Sequence, residues 1–279
     1  MTKIREAVFE IVRRRLGYSF PRAGRLAFDL AFKIGPKHVR TELIPGLFAN
    51  LDLSDEVQRA TYWQGERFEK PTLPVLNQWV DEGARLFFDI GSNYGFFGFA
   101  LMARHQHLGA HAFEPNPITF AHLAEIKTEN HLNRLAIWNL GLSDCCATLP
   151  LRRGLSDSGH STFGDHPALR TNASDLIEVL DFKTWQQRAD VHLPEPGQWI
   201  AKIDVEGFEM KVLRGLGHAL EARAFRGLAV EVNEFTLGFC GSHPEEIYSY
   251  MKSLGYQALT RIDGPRRQPF TGNEFFVPR

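Results

Sequence analysis

Residues 87–95 read Phe-Phe-Asp-Ile-Gly-Ser-Asn-Tyr-Gly, and residues 112–117 read Ala-Phe-Glu-Pro-Asn-Pro. Two carboxylates, Asp89 and Glu114, thus sit at the ends of apolar runs, with Gly91 and Gly95 between them. Glycine lets a turn approach a bound molecule with no side chain in the way. An acid at the tip of a second strand can accept hydrogen bonds from both hydroxyls of a ribose, and its charge strengthens them. The chemistry suited to this spacing is recognition of a nucleoside-containing cofactor.

A dinucleotide fingerprint needs glycines at G-x-G-x-x-G spacing. Here Gly91 is followed by Asn93 and Phe96 at the other two positions, and Gly95 is off by one. A side chain at Asn93 would block a pyrophosphate. Asp89 would repel phosphate, yet it attracts the ammonium of a methionine moiety, directly or through water. The pattern therefore favours S-adenosylmethionine over NAD. Glu114, with Pro115 behind it, is expected at the ribose. Leu142, Ser143 and Asp144, after a third apolar run, are expected at the adenine. Two alternatives stay open: an NAD-dependent oxidoreductase, and a partner protein that binds S-adenosylmethionine without catalysis.

The elements that must position these residues alternate. Strands are expected over Arg85–Ile90, His111–Glu114, Leu135–Leu140, Trp199–Asp204 and Gly227–Val232. Helices are expected from Tyr94 to His105, from the Asn116-Pro117 cap to Asn130, from Phe208 to Leu216, and from His243-Pro244 to Gly255. Cys146–Arg152 and Leu176–Leu180 read as short strands around a polar loop. Gln257–Arg261 and Glu274–Val277 read as a closing hairpin turned at Asp263-Gly264-Pro265. Alternation of this kind implies an α/β fold, a mostly parallel sheet with helices on both faces. Upstream, helices are expected over Ile4–Leu16 and Arg22–Ile34. A hairpin over His38–Leu53, a helix capped by Ser54, and a short helix from Pro71 to about Gly83 follow. Two domains result: an N-terminal helical and hairpin extension over 1–70, and the cofactor domain over 71–279.

The chain has 279 residues, 43% hydrophobic and 23% charged, the proportions of a soluble globular protein. Its net charge of −1 conceals an asymmetry: residues 1–40 carry ten Lys/Arg against three acids, so the remainder is −8. That basic segment reads as a solvated helical cap, as a contact in a homo-oligomer, or as an attraction for anionic acceptors or a membrane surface. No nucleic-acid pattern interleaves aromatics with this charge. Cys145, Cys146 and Cys240 form no disulfide framework and are expected to be buried small residues, which suits a cytoplasmic protein. No apolar run reaches the ~18 residues of a spanning helix, and the N-terminus lacks the pattern of a signal peptide. His105, His107 and His111 have no accompanying carboxylates and are expected at the surface.

Residues 202–209, Lys-Ile-Asp-Val-Glu-Gly-Phe-Glu, followed by Val212-Leu213-Arg214-Gly215, resemble the "KIDVEG-E…VL-G" signature of FkbM-type methyltransferases. Asp89–Gly95 resembles that family's "DVGANIG", Phe113–Pro117 its "FEPNP", and Asn139–Asp144 its "N-x-A-L-S-D" with Gly141 for alanine. Tyr62–Gly65 with Phe68-Glu69 resembles its entry segment. Its "T-L-D" is weakened here to Val179-Leu180-Asp181. The resemblance spans about Tyr62 to Val232. It implies the class I methyltransferase fold, Rossmann-like with a seven-stranded sheet, and O-methylation of a carbohydrate, glycolipid or polyketide-like hydroxyl. It does not select the acceptor.

Methyl transfer to an alkyl hydroxyl needs alignment and a base or a metal, because the hydroxyl is a poor nucleophile. Asp204, at the tip of the fourth strand, is the first choice for the base and Glu206 the second. The competing role for Asp204 is a helix cap, with Glu206 and Glu209 at the positive helix end. Glu231 and Asn233, two apart, share a strand face. With Asp204 they offer hard oxygens to Mg²⁺ or hydrogen bonds to a sugar; the metal is the less favoured of the two. His160, in the polar loop before Phe163, is a further candidate base.

Overall fold

The computed structural model describes residues 36–65, 68, 71–153, 158–159, 161–165, 174–259 and 271–279. The helices expected over Ile4–Leu16 and Arg22–Ile34, the Asp263–Pro265 turn and His160 lie outside them. The chain divides into two compact units, residues 1–70 with 156–158, and residues 71–155 with 159–279.

In the first unit, β1 (His38–Ile44) and β2 (Leu47–Asp52) form an antiparallel hairpin. Alternation of residue type carries it: Val39, Thr41 and Leu43 face inward with Leu47, Ala49 and Leu51, while the intervening residues are solvated. Gly46 supplies the turn at φ +81°. α1 (Glu56–Gln64) follows, capped by Asp55 rather than Ser54. The Asp55 carboxylate accepts from the Gln58 N–H at 2.9 Å and, on its other oxygen, from the Ser158 N–H at 2.6 Å.

The second unit runs α2 (Thr72–Asp81), β3 (Leu86–Ile90), α3 (Phe96–Arg104), β4 (Gly109–Phe113), α4 (Pro117–Glu129) and β5 (Leu135–Trp138). Then come β6 (Gly141–Leu142), β7 (Ala147–Arg152), β8 (Ser174–Leu180), α5 (Phe182–Ala189), β9 (Trp199–Ile203), α6 (Glu209–Gly215) and α7 (Gly217–Glu221). The last elements are β10 (Phe225–Asn233), α8 (Glu234–Phe239), α9 (Pro244–Ser253), β11 (Tyr256–Ala258) and β12 (Thr271–Pro278). Seven strands form one sheet in the order β11-β12-β10-β9-β3-β4-β5. β10, β9, β3, β4 and β5 are parallel, and β12 is antiparallel to both its neighbours. The winding reverses between β3 and β9. In such sheets the crevice at the carboxyl ends of the strands beside the reversal is the ligand site.

β3 and β9 are buried at every residue, as strands covered by helices on both faces must be. One face carries Phe88, whose ring lies 5.4 to 6.1 Å from those of Phe182, Trp185, Trp199 and Phe225. On the other face α2 lays Trp79 over Gly227, where a Cβ would lie 2.5 Å from the indole. α5 was not expected from sequence, since Phe182 and Trp185 are its two buried residues. Asp181 caps it, accepting from the Thr184 N–H at 2.9 Å. β6, β8 and β7 form a separate three-stranded sheet.

Two surface expectations are corrected. His111 and His105 are buried. His111 lies on β4, stacked between Phe88 and Trp138, with Trp138 Nε1 donating to its Nδ1 at 3.1 Å. Burial pushes the His111 pKa down to about 4, so the ring is neutral and serves as a core aromatic. Cys145 and Cys146 are exposed and Cys240 is half-buried, because the vicinal pair occupies the turn between β6 and β7.

Candidate active site

At the end of β3 the chain turns through Gly91, with φ +77°. A Cβ there would lie 1.8 Å from the Asp204 carbonyl oxygen. Glycine is required because the turn after β3 runs against the exit of β9. Gly95, with φ +92°, precedes α3, and its Cβ would strike Leu123 and Phe99 at 2.5 and 2.8 Å. Both glycines first serve the packing of protein on protein, a demand that the sequence pattern did not reveal.

Between them Asn93 takes the left-handed conformation, φ 51°, and donates its N–H to Glu114 Oε2 at 2.8 Å. Asn116 donates its N–H to Glu114 Oε1, also at 2.8 Å. The structure gives one backbone bond to each oxygen, and each keeps a lone pair for a further donor. Glu114 is buried, and burial pushes its pKa up to about 7 against the pull of the Asn116 and Asn93 bonds. Asp89 is buried too, on the face covered by α3, where its Oδ2 accepts from the Gly98 N–H at 3.2 Å. It lies in register with Lys202 on β9. Burial pushes its pKa up to about 7, with Lys202 pulling the other way. Ser92 Oγ, in the glycine turn, is buried with no hydrogen-bond partner among the described residues.

The expected adenine segment is packed. Leu142 and Ser143 are buried, and a Cβ at Gly215 would lie 1.9 Å from the Ser143 carbonyl oxygen. Asp144 is partly exposed and pairs with Lys211 at 3.1 Å. The Pro115 carbonyl accepts from Asn139 Nδ2 at 3.1 Å. Carboxylates, backbone groups and an unpaired hydroxyl are a donor set for hydroxyls and cations rather than for phosphates. The residues present therefore fit a donor with a ribose and positive charge.

On the other side of the switch point, Lys202 lies within buried β9 with its Nζ 2.5 Å from Asp204 Oδ2 and 4.7 Å from the centroid of the Phe97 ring. Asp204 does not cap α6. Glu209, the first residue of the helix, turns back onto the preceding loop: its Oε1 accepts from the Val205 and Gly207 N–H groups at 3.0 and 3.2 Å, while the N-cap Phe208 makes no side-chain cap bond. Burial pushes the Glu209 pKa up to about 7. Glu206 stands in the left-handed region at φ 52°. Gly207 beside it has φ +99°, and a Cβ there would lie 2.2 Å from the Thr236 carbonyl oxygen.

This loop brings Glu206 to Asp204 and to Glu231 on β10. One carboxylate oxygen from each lies within 4.8 Å of the others. Glu231 Oε2 is buried with no hydrogen-bond partner among the described residues. Asp204 foremost, then burial, Glu206 and Glu209 push the Glu231 pKa up to about 11, so it holds a proton at neutral pH. The three oxygens can share protons with an acceptor, and they are the described group with the spacing of a cation site. Asn233, expected beside Glu231, uses its Oδ1 to cap α8 by accepting from the Phe235 N–H at 3.1 Å.

Two contributors were not singled out from the sequence. Lys202 was one, although a lysine within an otherwise apolar strand signals a buried cation in need of a partner. The other is the pair Ser161 and Thr162, whose partners Asn116 and Glu206 lie far away in sequence.

Residues 89–258 match the model of the methyltransferase FkbM domain. A hexuronic acid methyltransferase, AglP, of Haloferax volcanii is 29% identical over 165 residues, covering 57% of this chain and 61% of the relative. The match thus spans less than two thirds of that relative's length. Among solved structures, magnesium protoporphyrin IX methyltransferase of Synechocystis PCC 6803 with bound SAM aligns over 80% of this chain and 84% of its own, at TM-score 0.45 and 10% identity. Precorrin-6y C5,15-methyltransferase of Geobacter metallireducens aligns over 75% and 85%, at TM-score 0.41 and 9% identity.

Proposed function

The chain belongs to the FkbM methyltransferase family, and we propose that it takes S-adenosylmethionine as its methyl donor and places the methyl group on a hydroxyl of a sugar acceptor. The observation that carries this reading is the meeting of Asp204, Glu206 and Glu231 at the carboxyl ends of β9 and β10. A sugar hydroxyl needs a base and hydrogen-bond acceptors to become nucleophilic, and a carboxylate cluster supplies both. The hexuronic acid methyltransferase relative supports a carbohydrate acceptor.

S-adenosylmethionine supplies an electrophilic methyl on a positively charged sulfur. Glu114 would receive the ribose hydroxyls on the lone pairs that the Asn93 and Asn116 N–H groups leave open. Asp89, Gly91, Asn93 and Gly95 shape the turn beside it, and Leu142, Ser143 and Asp144 border the adenine. Lys202 fixes Asp204 through Oδ2, which leaves Oδ1 for the acceptor. Asp204 would take the proton of the acceptor hydroxyl, whose oxygen would receive the methyl group that the donor supplies. Glu206 and the protonated Glu231 hold neighbouring hydroxyls. A divalent cation on the same three oxygens is the second reading. Lys202 already supplies a cation to Asp204, which favours the base.

The test is incubation with ¹³C-methyl-labelled donor and methyl β-D-glucuronide or methyl β-D-glucoside as acceptor probes, read by NMR. A labelled methoxy carbon on the sugar is expected, unaffected by EDTA. Label that never reaches a sugar oxygen contradicts the reading, and loss of transfer in EDTA restored by Mg²⁺ selects the cation instead.

A further inference from the structure

The segment Ser161–Asp165 is tied into both halves of the site. Asn116 Nδ2 donates to Ser161 Oγ at 3.1 Å, and the same Asn116 holds Glu114 Oε1 through its backbone N–H. One residue on, Thr162 Oγ1 donates to the Glu206 carbonyl at 2.7 Å and accepts from the Gly164 N–H at 3.0 Å. Thr162 is 3% exposed. Its backbone pairs in both directions with Arg152, each bond 2.9 Å. The Phe163 ring lies 5.1 Å from that of Phe208, and the Asp165 N–H donates to the Phe239 carbonyl at 3.2 Å. Gly164 allows this closeness, since a Cβ there would lie 2.6 Å from Cys240 Sγ.

We propose that Thr162 is a positioning residue for Glu206, and that the Ser161-Thr162 step ties the ribose acid Glu114 to the acceptor carboxylates. This rests on the acceptor role given to Glu206 above. A non-glycine residue persists in the left-handed region when its surroundings over-determine it. Glu206 is held on both sides: its carbonyl by Thr162, and the flanking Val205 and Gly207 N–H groups by Glu209. The hydroxyl of Thr162 gives its one proton to Glu206 and takes one from Gly164, so its rotamer is fixed. Because Ser161 is the next residue, a shift of Asn116 on the donor side is carried to Glu206 through one peptide unit.

The experiment compares Thr162→Val, Thr162→Ser and Ser161→Ala in the full chain. Amide hydrogen exchange is read at Val205 and Gly207, affinity for S-adenosylhomocysteine by calorimetry, and kcat and KM with methyl β-D-glucuronide. Thr162→Val is expected to speed exchange at both amides about 5- to 10-fold and to lower kcat with donor affinity unchanged. Thr162→Ser restores both. Ser161→Ala is expected to weaken donor binding and to speed exchange at the same two amides, by less than Thr162→Val does; amides left at the wild-type rate would overturn the tie between Glu114 and Glu206. Exchange in Thr162→Val equal to wild type, or no rescue by serine, overturns the proposal. A wild-type protein that methylates no sugar defeats the proposed function alone, because the exchange comparison still decides the role of Thr162.

Discussion

Glu114 and Asp204 are both acids, but they stand in different surroundings. Glu114 is buried and held by two backbone N–H groups, with a pKa pushed up to about 7. It is neutral below that value and ionised above it. Binding of the positively charged donor should therefore strengthen as pH rises from 6 to 8. Asp89, also raised to about 7, adds in the same direction. Calorimetry with Glu114→Gln should give weaker binding and a shallower pH slope; an unchanged slope would remove Glu114 as its source. Asp204 is bound to Lys202 at the mouth of β9. Asp204→Asn should keep donor affinity and lower kcat by about 10²- to 10⁴-fold, the usual worth of a general base. Steady-state kinetics would sink that assignment if kcat stayed at the wild-type level.

At the scale of elements, the site depends on how closely the exits of β3 and β9 approach. Gly91→Ala sets a Cβ against the Asp204 carbonyl at positive φ. It should cost at least ~2 kcal/mol in urea unfolding, and a cost near zero would contradict the packing described. Glu209, raised to about 7, stabilises the fold below its unfolded pKa and loses that contribution as pH rises through about 7. Asp89 and Glu114 act in the same window. His111, lowered to about 4, acts oppositely, and its contribution is lost as pH falls below its ordinary value. Glu209→Gln should therefore flatten the fall in stability between pH 5 and 7, measured as urea midpoints.

The elements were largely legible where one strand or helix carried its own signal. The parallel strands announced themselves as apolar runs, and Asn116-Pro117 marked the start of α4, where Asn116 Oδ1 accepts from the Ile118 N–H at 3.1 Å. α5 and α8 were not, because eight and six residues bear too few apolar positions to show a period. The acids of the site were visible, whereas their partners were not. Lys202 meets Asp89 through strand register, and Thr162 meets Glu206 through a loop, so both depend on tertiary structure.

For the molecule as a whole, the sheet order and its reversal between β3 and β9 set Asp89 and Glu114 on one side and Asp204 and Glu231 on the other. No helix among the described residues is long and apolar enough to cross a membrane. Asp89 and Glu114 ionise as pH rises through about 7, and the negative charge they then carry suits a cationic donor. The most direct test is calorimetric titration of S-adenosylhomocysteine, with NAD in parallel, into the full chain and into Glu114→Ala. Micromolar binding of S-adenosylhomocysteine to the wild type, about 10-fold or more weaker in the variant, and none of NAD, is the result this account predicts. Equal affinity in both proteins, or binding of NAD, would contradict it.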